Sequence, residues 1–123
     1  MRDLYISFYL RANRVRVFSD VLRAIGSPKR ICFLIDKSGE NLLIAPHDNR
    51  DFKSHKVPPQ AVNGKYGVEI CSIKLCRIIA GLHGWDITSS YRVPGTAYPE
   101  RNAAVFRLAE AEAIERRDTV SAW

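Results

Sequence analysis

The sequence predicts a mainly β fold with short helices, an α+β architecture assembled from two strand–helix–hairpin units. Three observations carry that expectation. Residues 4–10 alternate apolar and polar side chains at the period of a half-buried strand. The segments Asn13–Gly26 and Gly67–Gly81 each run from a strand through a capped helix to a glycine stop. Each segment is then followed by a pair of strand-like apolar runs. With 123 residues the chain suits one compact domain. The first unit spans residues 1–46, a connector 47–64, the second unit 65–109, and a helical or frayed tail 110–123.

In the first unit Leu4, Ile6, Phe8 and Leu10 share one strand face, and Tyr5, Ser7, Tyr9 and Arg11 share the other. A turn at Ala12-Asn13 lets Arg14-Val15-Arg16-Val17 return as a second strand with its arginines outward. Ser19 is a suitable N-cap, and Asp20 fits the first turn of a helix, where the dipole favours negative charge. Val21, Leu22 and Ile25 give that helix one apolar side. Gly26 suits the positive φ of a helix stop, with Pro28 just beyond. Ile31–Ile35 is apolar throughout and predicts a strand buried on both faces. Asp36–Asn41 forms a turn, and Leu42–Ala45 is the return strand, ended by Pro46.

The connector is polar and contains Pro58-Pro59, with Phe52, Val57 and Val62 available to pin it to the body. In the second unit Tyr66, Val68 and Ile70 alternate inward. Ser72 caps a longer helix over 73–83, with Leu75, Ile78, Ile79 and Leu82 as its core side and Lys74 and Arg77 pointing elsewhere. Ser89–Val93 and Ala103–Leu108 predict the second hairpin, joined by a longer tip, Pro94–Asn102. Residues 109–117 have high helix propensity.

Charge is uneven. Residues 1–56 hold eleven Lys/Arg against six Asp/Glu, whereas residues 57–123 hold eight against seven. Arg11, Arg14, Arg16, Arg23, Lys29 and Arg30 crowd residues 11–30 beside Asp20 alone, a concentration that attracts phosphate backbones, acidic proteins or anionic lipid. Tyr5 and Tyr9, on the Arg11 face, read either as edge-of-core tyrosines with wet hydroxyls or as stacking platforms for exposed bases.

Other classes are excluded on their chemistry. No apolar run approaches the ~18 residues of a membrane span, and the first residues lack the form of a secretory signal. Cys32, Cys71 and Cys76 have no CxxC spacing and sit among apolar neighbours, as small buried cysteines of a reducing, cytoplasmic compartment do. His47, Asp48, Asp51 and His55 share a loop without the fixed spacing that a metal requires. Ser89-Ser90, His83 and Asp86 supply the residue types of a triad without a nucleophile elbow. No catalytic residue, cofactor or metal is expected.

Overlaying the two units sets Val15 on Val68, Val17 on Ile70, Ser19 on Ser72, Leu22 on Leu75 and Gly26 on Gly81, with an insertion in the second helix. Glu69 then stands where the first unit has Arg16. The first unit, through Asn13-Arg14-Val15-Arg16-Val17, Leu22-Arg23-Ala24-Ile25-Gly26, Ile31–Ile35 and Leu42–Ile44, resembles the AbrB/MazE-like (SpoVT-AbrB type) swapped-hairpin DNA-binding family. That family serves bacterial transition-state regulators and antitoxins. The match covers residues 11–45. Phe18-Ser19 replaces the family's helix-opening proline, and Asn13 its glycine.

The resemblance implies interleaved hairpins, here within one chain as a pseudo-dimer: a monomer with internal pseudo-symmetry or a homodimer. It also implies duplex DNA as partner, contacted by Arg14, Arg16 and Arg23. The expected function is a non-enzymatic bacterial or phage transcriptional regulator or antitoxin-type module. The alternative is a protein–protein interaction module that inhibits a nucleoprotein enzyme through the second tip, with Tyr98 and Arg101 as interface anchors.

Overall fold

The computed structural model describes residues 3–48 and 54–114. Its strands are β1 (Leu4–Tyr9), β2 (Arg14–Val17), β3 (Arg30–Ile35), β4 (Asn41–Pro46), β5 (His55–Lys56), β6 (Val68–Cys71), β7 (Ser90–Tyr98), β8 (Ala103–Arg107) and β9 (Glu112–Ala113). Its helices are α1 (Ser19–Ala24), α2 (Pro59–Asn63) and α3 (Ile73–His83). The strands pair antiparallel in the order β5-β3-β4-β8-β7-β1-β2-β6, with β9 also on β7. The protein is thus mainly β with short helices.

Local hairpins are tied together by long-range pairs. β1 meets β2 as Ile6↔Val17 and Phe8↔Val15, and meets β7 as Ile6↔Val93 and Phe8↔Tyr91. β2 meets β6 as Val15↔Ile70, Arg16↔Glu69 and Val17↔Val68. The hairpin β3–β4 meets the hairpin β7–β8 through β4 and β8, with Leu42↔Phe106, Leu43↔Val105 and Ile44↔Ala104.

One face of every major strand looks into a single core. Ile6, Phe8, Val15, Val17, Leu42, Ile44, Val93 and Phe106 are fully buried there with Val21, Leu22 and Ile25 of α1 and Ile79 of α3. Ile31 and Ile70, from opposite ends of the strand order, belong to the same cluster, so the sheet curls around its core. Each such side chain withdrawn from water contributes about 1.5–3 kcal/mol before entropy opposes it. Trp85 stacks on Tyr91 at 4.5 Å and meets Phe8 edge-on at 5.4 Å, which ties the end of α3 to β1 and β7.

Several local expectations hold. Gly26 has φ +93°, and Ser72 caps α3, its side chain accepting from Leu75 N at 3.2 Å. Others need correction. Gly81 does not stop the second helix: it lies inside α3, which ends at Gly84 with φ +63°. Ser19 is not the cap of α1: Phe18 holds that position, while the buried Ser19 hydroxyl donates to Ala61 O at 2.6 Å and pins α1 to α2. β3 is not buried on both faces, because Leu34 is 50% exposed near the end of the strand order. On α3 the buried residues are Cys76, Ile79 and Ala80, whereas Ile78 and Leu82 face solvent. Cys71 is exposed, unlike Cys32 and Cys76, and Tyr66 is exposed where the alternation predicted an inward residue.

The second hairpin tip is not the longer one. β7 continues through Pro94-Gly95 to Tyr98, and only Pro99–Asn102 turns. Proline is tolerated in mid-strand because, on the side away from β1, β7 leaves Val93 and Pro94 unpaired between its Arg92↔Glu112 and Gly95↔Phe106 pairs. A 3₁₀ turn at Leu108–Glu110 bulges there, so no ladder donor is lost. The predicted tail helix is absent from its described part, where Glu112–Ala113 pairs with β7. The remainder of that tail, like Asp51 and Phe52 of the connector, lies outside the described residues. No helix among the described residues is long and apolar enough to cross a membrane.

Candidate nucleic-acid interface

Side chains that alternate away from the core make the outer face of β1, β2, β6 and β7. Tyr5 and Tyr9 stand on β1 with Ser7 between them; Ser7 is opposite Arg16 on one side and Arg92 on the other. Tyr5 is 37% exposed, and the Arg92 guanidinium lies 4.7 Å from its ring centre in cation–π geometry. Two aromatic rings and three arginines are therefore gathered by three adjacent strands.

Glu69 changes what those arginines can do. Arg14 Nη1 donates to its Oε1 at 2.9 Å, and Arg16 Nη2 to its Oε2 at 2.5 Å. Arg16 Nη1 also donates to Tyr66 O at 2.8 Å. The hydrogen bond from Arg14, aided by the charge of Arg16, holds the Glu69 carboxyl below its ordinary range. The same bond raises Arg14. Farther along the outer face Arg92 pairs with Glu112 at 3.3 Å, and Arg107 pairs with Asp3 at 3.0 Å and Glu110 at 2.8 Å. The face is consequently close to charge balance. Its aromatic rings stay accessible while its guanidinium groups are largely occupied.

The remaining basic candidates do not join this face. Arg11 sits exposed on the 3₁₀ tip Leu10–Ala12, on the side of Asp86. Arg23 lies on α1, where Nη1 donates to Val62 O at 2.7 Å. Lys29 and Arg30 are at the β3–β5 end; Arg30 Nε donates to the Ser54 hydroxyl, and Lys29 O accepts from Val57 N at 2.8 Å. Burial, with the charge of Arg30 second, lowers the pKa of His55 on the adjoining strand. Tyr98 and Arg101 are exposed on the second tip.

Arg92 and Glu69 are the residues of this face that sequence reasoning missed. Alternation around Tyr91 and Val93 turns Arg92 outward, yet its place beside Tyr5 depends on β1 finding a strand some ninety residues away. Glu69 was visible as the residue replacing Arg16 in the overlay, but its role as the partner of Arg16 was not. A shallow cleft at the edge of the face adds Phe18 and Lys65 to Tyr5, Arg23 and Arg92. Among the described residues no group of three or more His, Cys, Asp or Glu gathers as metal ligands do. The chain matches no family model, no curated protein and no solved structure among those compared.

Proposed function

We propose that the chain is a non-enzymatic nucleic-acid-binding protein, a regulator or antitoxin-type module, built as an internal AbrB-like pseudo-dimer. The observation that carries the reading is the symmetry of the strand registers. In the overlay of the two units Arg16 answers to Glu69, and these two face each other across β2 and β6. The flanking pairs Val15↔Ile70 and Val17↔Val68 exchange under the same overlay. The hairpins obey a second overlay of the same kind: Phe33↔Ile44, Leu34↔Leu43 and Ile35↔Leu42 answer to Gly95↔Phe106, Thr96↔Val105 and Ala97↔Ala104. The hairpins then meet at Leu43↔Val105, again equivalent residues opposite each other.

Even a side-chain contact repeats. Arg30 faces Lys56 and reaches back two residues to Ser54; Arg92 faces Ser7 and reaches back two residues to Tyr5. A pseudo-twofold axis through Arg16/Glu69 and Leu43/Val105 accounts for all of these. These registers support reading the AbrB-like pattern of residues 11–45 into both halves.

The mode of binding differs from duplex reading by free arginine forks. Arg14 and Arg16 would have to leave Glu69 before forking onto a guanine edge, whereas Tyr5 and Tyr9 need no such release. Unpaired bases stacked on the tyrosines, with phosphates near Arg92, fit the face better. Fluorescence anisotropy with labelled single-stranded DNA, single-stranded RNA and duplex DNA at two salt concentrations tests this. Single strands are expected to bind more tightly than duplex, and Tyr5→Ala and Tyr9→Ala are each expected to cost about 1–3 kcal/mol. Absence of binding to all three at low salt overturns the proposal.

A second reading, an interaction module acting on a protein, draws on exposed apolar residues that nucleic acid would not use. Ile73, Ile78 and Leu82 of α3 are all more than 40% exposed. Tyr98 and Arg101 offer a separate contact on the second tip. A stoichiometric protein partner that survives nuclease treatment would favour this reading.

A further inference from the structure

We infer that the cleft beside Tyr5 is a subsite for a single nucleotide, taking an unpaired base together with its phosphate. The inference rests on the nucleic-acid reading and names where on the molecule recognition is most specific. The cleft has a volume of about 450 Å³ and is lined by Tyr5, Phe18, Asp20, Arg23, Lys65 and Arg92. That size lies in the usual range for small-ligand sites.

Two kinds of group meet there. Tyr5 and Phe18 are aromatic residues outside the core cluster and outside the set of half-buried residues packed against it. Phe18 leaves β2 one residue after the buried Val17, so alternation turns it to the outer side, with Arg14 and Arg16. Phe18 is half-buried and lines the cleft, where a ligand can reach it. Arg92, over the Tyr5 ring at 4.7 Å, fixes the position of that ring.

The second group is cationic. Arg23, Lys65 and Arg92 line the cleft with one carboxylate, Asp20, whose Oδ1 already accepts from Val21 N at 2.8 Å; Arg92 also meets Glu112 at 3.3 Å, so Arg23 and Lys65 carry the excess. Arg23 is braced by Val62 O, which uses one guanidinium nitrogen and leaves the others free to donate. An apolar ligand would not need this excess of positive charge, and a bare inorganic anion would not need two rings. An aromatic anion uses both, and a nucleotide is the aromatic anion consistent with the face outside.

The same chemistry is offered by a free 5′-mononucleotide and by one residue of a strand, so the test has two arms. Backbone amide shifts are followed by NMR during titration with adenosine 5′-monophosphate, and anisotropy is read with a single-stranded hexanucleotide. The expected result is saturable movement of Phe18, Gly64 and Lys65 amides with the mononucleotide. Lys65→Glu and Phe18→Ala are each expected to weaken hexanucleotide binding about tenfold. Lys65 is exposed, so its variant reports on binding even if Phe18→Ala proves poorly folded.

If both variants bind the hexanucleotide as tightly as the parent, the subsite is overturned and the nucleic-acid reading stands. If the mononucleotide moves these amides but no oligonucleotide binds, the subsite is supported and the wider reading falls. If neither ligand binds, both are overturned.

Discussion

Glu69→Gln removes one charge and tests how far the outer face is held neutral from within. The carboxylate takes one guanidinium on each oxygen, Arg14 at 2.9 Å and Arg16 at 2.5 Å. Arg14 is half exposed and Arg16 a quarter exposed, so water screens both pairs and their contribution to stability is small. The variant should therefore remain folded, with little loss of stability.

Binding should respond more strongly. Two freed guanidinium groups can neutralise two phosphates, which steepens the logarithmic salt slope for duplex DNA by about 1.8. Between 50 and 200 mM salt that amounts to about a tenfold greater loss of affinity than the parent shows. Anisotropy with one duplex across that range measures it. An unchanged slope, in a variant shown to be folded, would refute the idea that Glu69 restrains these arginines. The parent should show a related effect with pH. Because the folded state lowers the pKa of Glu69, its contribution is present above the ordinary glutamate value and is lost as pH falls through the lower folded value.

Two further predictions concern the scaffold. Gly67→Ala is expected to abolish folding or cost well over the ~1–3 kcal/mol of a strained backbone, since φ is +71° and a Cβ would lie 1.9 Å from Val17 O; urea denaturation measures the loss, and a near-parental midpoint would contradict the geometry. For the thiols, Cys71 is exposed, Cys32 and Cys76 are buried, and burial pushes Cys76 up to about 11. A thiol reagent at pH 8 should label one cysteine rapidly and the other two only on unfolding; rapid labelling of three would show the core to be open.

What the sequence revealed followed from short-range physics. The strand at Leu4–Tyr9, the Ser72 cap and the Gly26 stop each depend on a few neighbouring residues, and each is observed, although Ser7, expected outward, is buried like Ile6 and Phe8. Ser19 looked like a cap by the same logic, but a buried hydroxyl beside α2 finds the Ala61 carbonyl instead. The stop expected at Pro94 failed because the residues opposite it, Leu108–Glu110, leave the ladder. Whether Ile78 lies inside or outside depends on how α3 is turned against the sheet, which its own periodicity does not fix. The site suffered most. Arg14 and Arg16 were legible as outward-facing residues, but a strand's neighbours are chosen by the whole fold, and those neighbours brought Glu69 and Arg92.

The interleaving of the strands has a consequence for assembly. β1 closes on β7, β2 on β6 and β4 on β8, so neither half can complete its sheet without the other. Held in one chain, the halves meet at an effective concentration on the order of millimolar, whatever the protein concentration in solution. Their association is then a step in folding and not a second-order encounter. Thermal unfolding should accordingly be independent of dilution, while a connector severed by protease should make it depend on dilution. Covalent continuity through residues 47–64 thus sets the order of the reaction by which this protein acquires its structure.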